Sequence, residues 1–132
     1  PPDFGKVDPN SGELNMIFCT QDVKVYLRIG YTDMRKAING LTIMVEHYLE
    51  QDPFSGHLFV FCNRTKTIVK ILYWDRNGFC LWQKRLEKHR FKWPSSKEAA
   101  LCIGYRELLW LLEGLDPFIQ NPHSKLNYEL VA

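Results

Sequence analysis

The 132-residue chain contains no apolar run approaching the roughly 18 residues a membrane-spanning helix needs. It also has no basic-then-apolar secretory leader, so it is read as a soluble, cytoplasmic protein with no membrane partner. Its four cysteines, at 19, 62, 80 and 102, form no Cys-x-x-Cys pair, and no paired histidines accompany them, which leaves zinc ligation without support. Cys62 and Cys80 fall inside apolar strand-like runs, where a reduced thiol behaves as a small hydrophobe. His47, His57, His89 and His123 stand in no recognisable spacing with a serine or cysteine nucleophile, and Ser55 reads as a turn residue. Acidic residues are scarce in the middle of the chain: residues 24–92 hold 13 Lys and Arg against 6 Asp and Glu. The rest holds 4 against 9, so a net charge of +2 conceals a basic central segment between acidic ends. Asp33, Asp52, Asp75 and Glu87 would have to converge to hold Mg²⁺ for phosphoryl transfer. Each has a simpler local role: starting a helix, preceding a turn proline, opening a β-turn, or pairing with neighbouring cations. No catalytic residue, metal ligand or cofactor is therefore expected.

What is present suits one folded domain. Apolar residues make up 45% and aromatics 14% of the chain, enough for a substantial core. Residues 1–15 carry three prolines, two glycines and little apolar content, and are expected to be a flexible leader or upstream extension. Met16 is the expected native start, residues 16–115 the domain, and 116–132 a C-terminal tail without a dependable pattern. Val23, Val25, Leu27 and Ile29 alternate with Lys24, Tyr26 and Arg28, as a half-buried strand requires. Leu58–Cys62, Thr67–Trp74 and Phe79–Leu86 read as three further strands in a β-meander. The link Asp75-Arg76-Asn77-Gly78 fits a type I turn or an Asn-Gly hairpin, and either makes the last two strands antiparallel neighbours.

Met34, Ala37, Ile38, Leu41, Met44, Val45, Tyr48 and Leu49 recur at spacings of three and four and predict a long helix over 33–50. Gly40, inside it, suggests a close approach to the sheet. With Thr32 as N-cap, Arg35 and Lys36 would fall in the first helical turn, near the positive end of the dipole. An anion bound there would use the free N–H groups, and the simpler alternative is that Arg35 pairs with Asp33. A shorter helix over Tyr105 to Glu113 ends at Gly114. The expected fold is α+β: a single domain whose twisted, mainly antiparallel sheet of four or five strands packs against the long helix on one face, with the shorter helix beside it.

The densest basic run is Lys84-Arg85-Leu86-Glu87-Lys88-His89-Arg90-Phe91-Lys92-Trp93-Pro94, with aromatics interleaved among cations. Lys and Arg supply salt-sensitive phosphate contacts; Phe91 and Trp93 either stack on bases or belong to the core, the latter being preferred. Arg64 and Lys66 on the preceding turn extend the patch, and Lys70 is expected beside Lys84 or Arg85 across the hairpin. The candidate DNA- or partner-binding set is Arg35, Lys36, Arg64, Lys66, Lys70, Lys84, Arg85, Lys88, Arg90 and Lys92. No base-reading motif accompanies it, so sequence specificity is not assigned.

Several ordered blocks carry a resemblance: Gly30-Tyr31-Thr32-Asp33-Met34-Arg35-Lys36, Gly40-Leu41, Asp52-Pro53-Phe54-Ser55-Gly56-His57-Leu58-Phe59-Val60-Phe61, Lys70-Ile71-Leu72-Tyr73-Trp74-Asp75, Gly78, Lys84-Arg85-Leu86-Glu87 and Phe91-Lys92-Trp93-Pro94. Over about residues 23–94 the chain resembles the small accessory proteins of the second open reading frame of insertion sequence 66 elements. The resemblance implies a non-catalytic bacterial mobile-element protein that serves transposition alongside a separate transposase. Two expectations follow: contact with DNA phosphates within a transposase assembly, or a subunit that binds the transposase without touching DNA. Oligomeric state is not assigned.

Overall fold

A computed structural model describes residues 23–119 and the backbone of Tyr128–Val131. The leader expected at 1–15 and the Met16 start lie outside the described residues. The elements are β1 (Val25–Arg28), α1 (Ile38–His47), β2 (Leu58–Cys62), β3 (Ile68–Asp75), β4 (Gly78–Arg85), β5 (Ala100–Ile103), α2 (Tyr105–Leu112) and β6 (Tyr128–Val131). They build one α+β domain around a mixed sheet of order β4-β3-β2-β1-β5-β6. β1 and β2 are parallel, joined by the α1 crossover, and the other ladders are antiparallel. The meander of β2, β3 and β4 is present as the sequence pattern requires. β5 has only four residues and β6 lies in the stretch without periodicity, so both escaped a reading based on alternation.

The two helices lie on opposite faces of the sheet rather than side by side. The reason is visible in β2, which is buried at all five positions and therefore needs cover on both sides. Leu58, Val60 and Cys62 share one core with Val25, Leu27, Ile71 and the α2 residues Leu108, Leu111 and Leu112. Phe59 and Phe61 share the other with Leu72 and with Leu41, Met44, Val45 and Leu49 of and just after α1. Phe91 and Trp93 are buried in the first core, as preferred from sequence. Trp93 also donates its indole N–H to the carbonyl of Arg28 at 2.9 Å.

α1 is ten residues long, not the eighteen of the expected span 33–50. Its N-cap is Ala37, without a side-chain cap. Thr32 is buried, and its N–H donates to the Cys62 carbonyl at 2.8 Å, so it belongs to the crossing over the end of β2 rather than to a helix start. The next residues form a separate turn in which the Lys36 N–H donates to the Asp33 carbonyl at 3.1 Å. Arg35 and Lys36 therefore precede the helix, and the alternative of an anion site in its first turn does not arise from α1. Gly40 meets no strand; a Cβ there would lie 3.3 Å from the Lys36 side chain. At the β3–β4 hairpin Asp75 pairs with Gly78 around Arg76-Asn77. Arg76 takes φ 48°, which departs from a type I turn.

Candidate nucleic-acid interface

The parallel pair β1–β2 ends in Arg28 and Cys62, and the chain leaving each strand is tied to segments that arrive from elsewhere. Thr67, just after the β2–β3 turn, accepts the N–H of Leu86 at 2.8 Å, and Lys66 accepts that of Phe91 at 2.7 Å. Ile29 donates to the Ala99 carbonyl at 3.1 Å. These bonds gather the 28–36 segment, the 63–67 turn and the 85–99 connection at one end of the sheet. Asn63 builds the turn: its side-chain oxygen accepts the N–H groups of Thr67 and Ile68 at 2.9 and 3.0 Å. Lys66 sits in it at φ 62°.

Nine of the ten sequence-predicted cations sort into three conditions, and the tenth, Lys84, is half-buried. Lys36, Arg64, Lys66, Lys88, Arg90 and Lys92 are exposed at this end. Arg64 lies over the Tyr31 ring at 5.6 Å, which joins the 64–66 turn directly to the 31–36 segment. Arg35 and Arg85 are exposed but paired two residues away, Arg35 with Asp33 at 2.6 Å and Arg85 with Glu87 at 2.8 Å. The Arg35 hydrogen bonds, side chain first and backbone second, lower the Asp33 pKa to about 2. The simpler alternative for Arg35 is thus the one the structure adopts. Exposed pairs of this kind are weak and readily exchanged for a phosphate.

Lys70 is the exception. It is 8% exposed and donates from Nζ to the carbonyls of Met34 at 2.8 Å and Lys36 at 3.0 Å. Its ammonium is spent on holding the 33–36 turn against the sheet and is not presented to a ligand. Across the hairpin Lys70 faces Gln83, while Lys84 pairs with Val69 on the opposite face. Arg85, opposite Ile68, is the basic residue that shares the Lys70 face.

Arg28, Tyr31, Thr32 and Tyr48 were not among the residues picked from sequence. Arg28 looked like the polar side of an alternating strand, yet its guanidinium lies over the Tyr48 ring at 5.1 Å, and its Nε is buried without a hydrogen bond among the described residues. A cavity of about 400 Å³ at the strand ends is lined by Arg28, Tyr31, Tyr48, Arg64, Lys66 and Trp93, among others. A second, of about 350 Å³, shares Arg28, Tyr31 and Tyr48 and adds Thr32 and Lys36. The one legible signal was position: a crevice at the carboxyl ends of parallel strands is where open sheets place ligands.

The carboxylates do not converge. Asp52 accepts the Phe54 N–H at 2.9 Å within its turn, Asp33 and Glu87 are paired as above, and Asp75 faces Arg76 at 3.8 Å. Among the described residues no group of three or more His, Cys, Asp or Glu is placed to hold a metal ion. His57 is structural: its Nδ1 accepts the Lys24 N–H at 3.0 Å and its ring meets Tyr26 edge-on. Among the described residues no helix is long and apolar enough to cross a membrane.

A small α+β domain with a basic sheet end is the class that these features define. The chain belongs to the IS66 Orf2-like protein family, whose profile matches residues 23–122. Membership places it among accessory proteins associated with insertion-sequence transposition. Two curated relatives come from Sinorhizobium fredii (strain NBRC 101917 / NGR234). The uncharacterized protein y4hO is 40% identical over 96 residues, covering 73% of this chain and 84% of the relative. The uncharacterized protein y4jC is 33% identical over 101 residues, covering 76% and 86% respectively. No solved structure matches the chain significantly.

Proposed function

We propose that this protein serves transposition without catalysis, gripping DNA phosphates through the basic sheet end within a transposase assembly. The observation that carries the reading is the gathering of Lys36, Arg64, Lys66, Lys88, Arg90 and Lys92 around the strand ends, with Arg35 and Arg85 in exchangeable pairs. Four adjacent strands, β4 to β1, span about 14 Å, or roughly four base-pair steps of duplex. About four phosphate contacts would give a log–log salt slope near −3.6. The test is binding to an end-derived and a scrambled duplex over a salt series, with Arg64→Ala/Lys66→Ala alongside. Loss of about two contacts should flatten the slope by roughly 1.8 and weaken both duplexes alike. Salt-independent or absent binding would refute the reading.

A second reading, a subunit that binds the transposase without touching DNA, is favoured by the opposite end of the sheet. Phe54, 55% exposed, packs against Trp74 and Phe79 with ring centroids 5.0 and 5.2 Å away beside the β3–β4 hairpin. An exposed aromatic cluster of this kind suits a protein contact. Tight capture of a transposase fragment, lost in Phe54→Ser and indifferent to Arg64→Ala/Lys66→Ala, would support that reading.

A further inference from the structure

Two polar groups at the carboxyl ends of β1 and β2 have no partner inside the described protein. Thr32 is 3% exposed, and its Oγ1 is buried without a hydrogen bond; the same holds for Arg28 Nε. A buried donor left unmade is costly, most of all on a charged group, so such atoms mark a place where a ligand supplies the bond. Both residues line the 350 Å³ lobe of the cleft, and Arg28 also lines the 400 Å³ lobe. The wall common to the two lobes is Arg28, Tyr31 and Tyr48. Both tyrosines are large, aromatic and more than half exposed, at 61% and 55%. Each carries a guanidinium over one ring face, Arg64 on Tyr31 and Arg28 on Tyr48. Gly30 keeps the arrangement open: a Cβ there would fall 2.0 Å from a terminal nitrogen of Arg28.

Exposed rings interleaved with guanidinium groups, and buried donors at the base of a cleft, are the chemistry of an unpaired nucleotide rather than a duplex. In a duplex the base faces are stacked away and only phosphates, sugars and groove edges are offered; an unpaired base can lie on a tyrosine ring or a guanidinium plane. Each lobe is within the roughly 300–1,000 Å³ typical of small-ligand sites. We propose that this two-lobed cleft takes an unpaired nucleotide of DNA, its phosphate in the lobe that Arg28 and Thr32 line and its base among Tyr31, Tyr48 and their guanidinium partners. The inference rests on the DNA-contact reading and narrows it: duplex phosphates meet the outer cations, and a single-stranded extension or splayed base enters the cleft.

The test compares a blunt duplex with the same duplex bearing a four-nucleotide single-stranded extension, by fluorescence anisotropy with the full chain. The extension should tighten binding about tenfold, the scale of one base stacked on an aromatic ring. A 2-aminopurine in the extension should be quenched on binding. Tyr31→Ser with Tyr48→Ser, both at exposed positions, should abolish the quenching and bring the affinity ratio of the two duplexes to one, whatever release of Arg64 from the Tyr31 ring costs both. Thr32→Val should reduce the preference with no gain for the blunt duplex. Equal affinity for the two duplexes, or a preference that survives both tyrosine substitutions, overturns the cleft assignment and leaves the DNA reading standing. Failure of both duplexes to bind at low salt overturns the two together. Displacement of the DNA by an acidic peptide, without any effect of the extension, assigns the cleft to protein and overturns the proposal.

Discussion

Replacing Lys70 by methionine separates a cation that holds the fold from the cations that face outward. The side chain crosses from β3 to the 33–36 turn, and its ammonium makes two hydrogen bonds to backbone carbonyls, at 2.8 and 3.0 Å. A bond from a charged donor contributes roughly 1.5–3 kcal/mol. Two would set an upper bound near 6 kcal/mol, but three effects reduce it. Methionine keeps the packing of the aliphatic stem, the variant no longer desolvates a charge, and the Lys36 carbonyl lies on an exposed turn where water reaches it. The net loss expected is about 2 kcal/mol, which for a domain of this size lowers Tm by about 8 °C or more. Urea titration and thermal melts followed by circular dichroism measure it, and amide exchange at Lys36 should accelerate. Lys88→Met is the control: Lys88 is exposed at the basic end with no ion pair among the described residues, and its loss should leave stability within about 0.5 kcal/mol while flattening the DNA salt slope. Unchanged stability in Lys70→Met, or a salt-slope effect equal to that of Lys88→Met, would refute the inward assignment.

Burial lowers the His57 pKa, Lys24 adding to the effect and Asp52 opposing it, so the unfolded chain takes up the proton first. Stability should be full above the ordinary value near 6.5 and decline as pH falls below it, and His57→Gln should flatten that decline in urea midpoints read at pH 8 and pH 5. Burial pushes the Cys62 thiol up to about 12, with Lys66 and the Asn63 backbone pulling weakly the other way; iodoacetamide should therefore modify Cys62 only as the protein unfolds. Trp93→Phe removes the donor to the Arg28 carbonyl and keeps most of the ring packing, so it should cost about 1 kcal/mol in urea titration. Gly30→Ala should displace the Arg28 guanidinium with less than about 0.5 kcal/mol change in stability, because the clash is with the far end of a flexible chain; its effect should fall on DNA bearing a single-stranded extension.

The parts of the fold written in local pattern were legible, and the parts set by long-range contact were not. Alternation over 23–29 and the apolar runs at 58–62 and 67–74, the last broken by Lys70, mark β1, β2 and β3, although β1 is buried at Tyr26 as well as at Val25 and Leu27 and so is not the half-buried strand that alternation implies. The spacing places the helix start too early because Met34, in the turn before α1, packs against the same core as Leu41, Met44 and Val45. What keeps Met34 out of the helix is Lys70, thirty-four residues beyond Lys36, capturing two carbonyls of the turn. The outward cations could be picked by charge density alone, since solvent exposure is the default for Lys and Arg. Lys70 broke that default through its position between buried Val69 and Ile71, a hint that alternation on a two-sided sheet does not resolve. Arg28, Tyr31, Thr32 and Tyr48 meet only because β1, the crossover and α1 fold over one strand end, and no spacing rule connects them.

With both faces of the sheet covered by helices, its ends carry the surface chemistry of the described domain, and the two ends differ. The hairpin end carries Phe54, Trp74 and Phe79 in mutual ring contact; the other carries the cations and the two-lobed cleft. β3, eight residues long, separates them by about 26 Å at strand rise. That distance exceeds the roughly 8 Å Debye length at physiological salt, so the aromatic end lies outside the field of the basic end. A molecule held on DNA by its basic end would therefore present the Phe54, Trp74 and Phe79 cluster away from the duplex. The two readings of function are in this sense separable within one chain: substitutions at Phe54 should act on protein capture alone, and substitutions at Arg64 and Lys66 on DNA alone. If instead Phe54→Ser weakened DNA binding as much as Arg64→Ala/Lys66→Ala does, the division of labour between the two ends would be wrong.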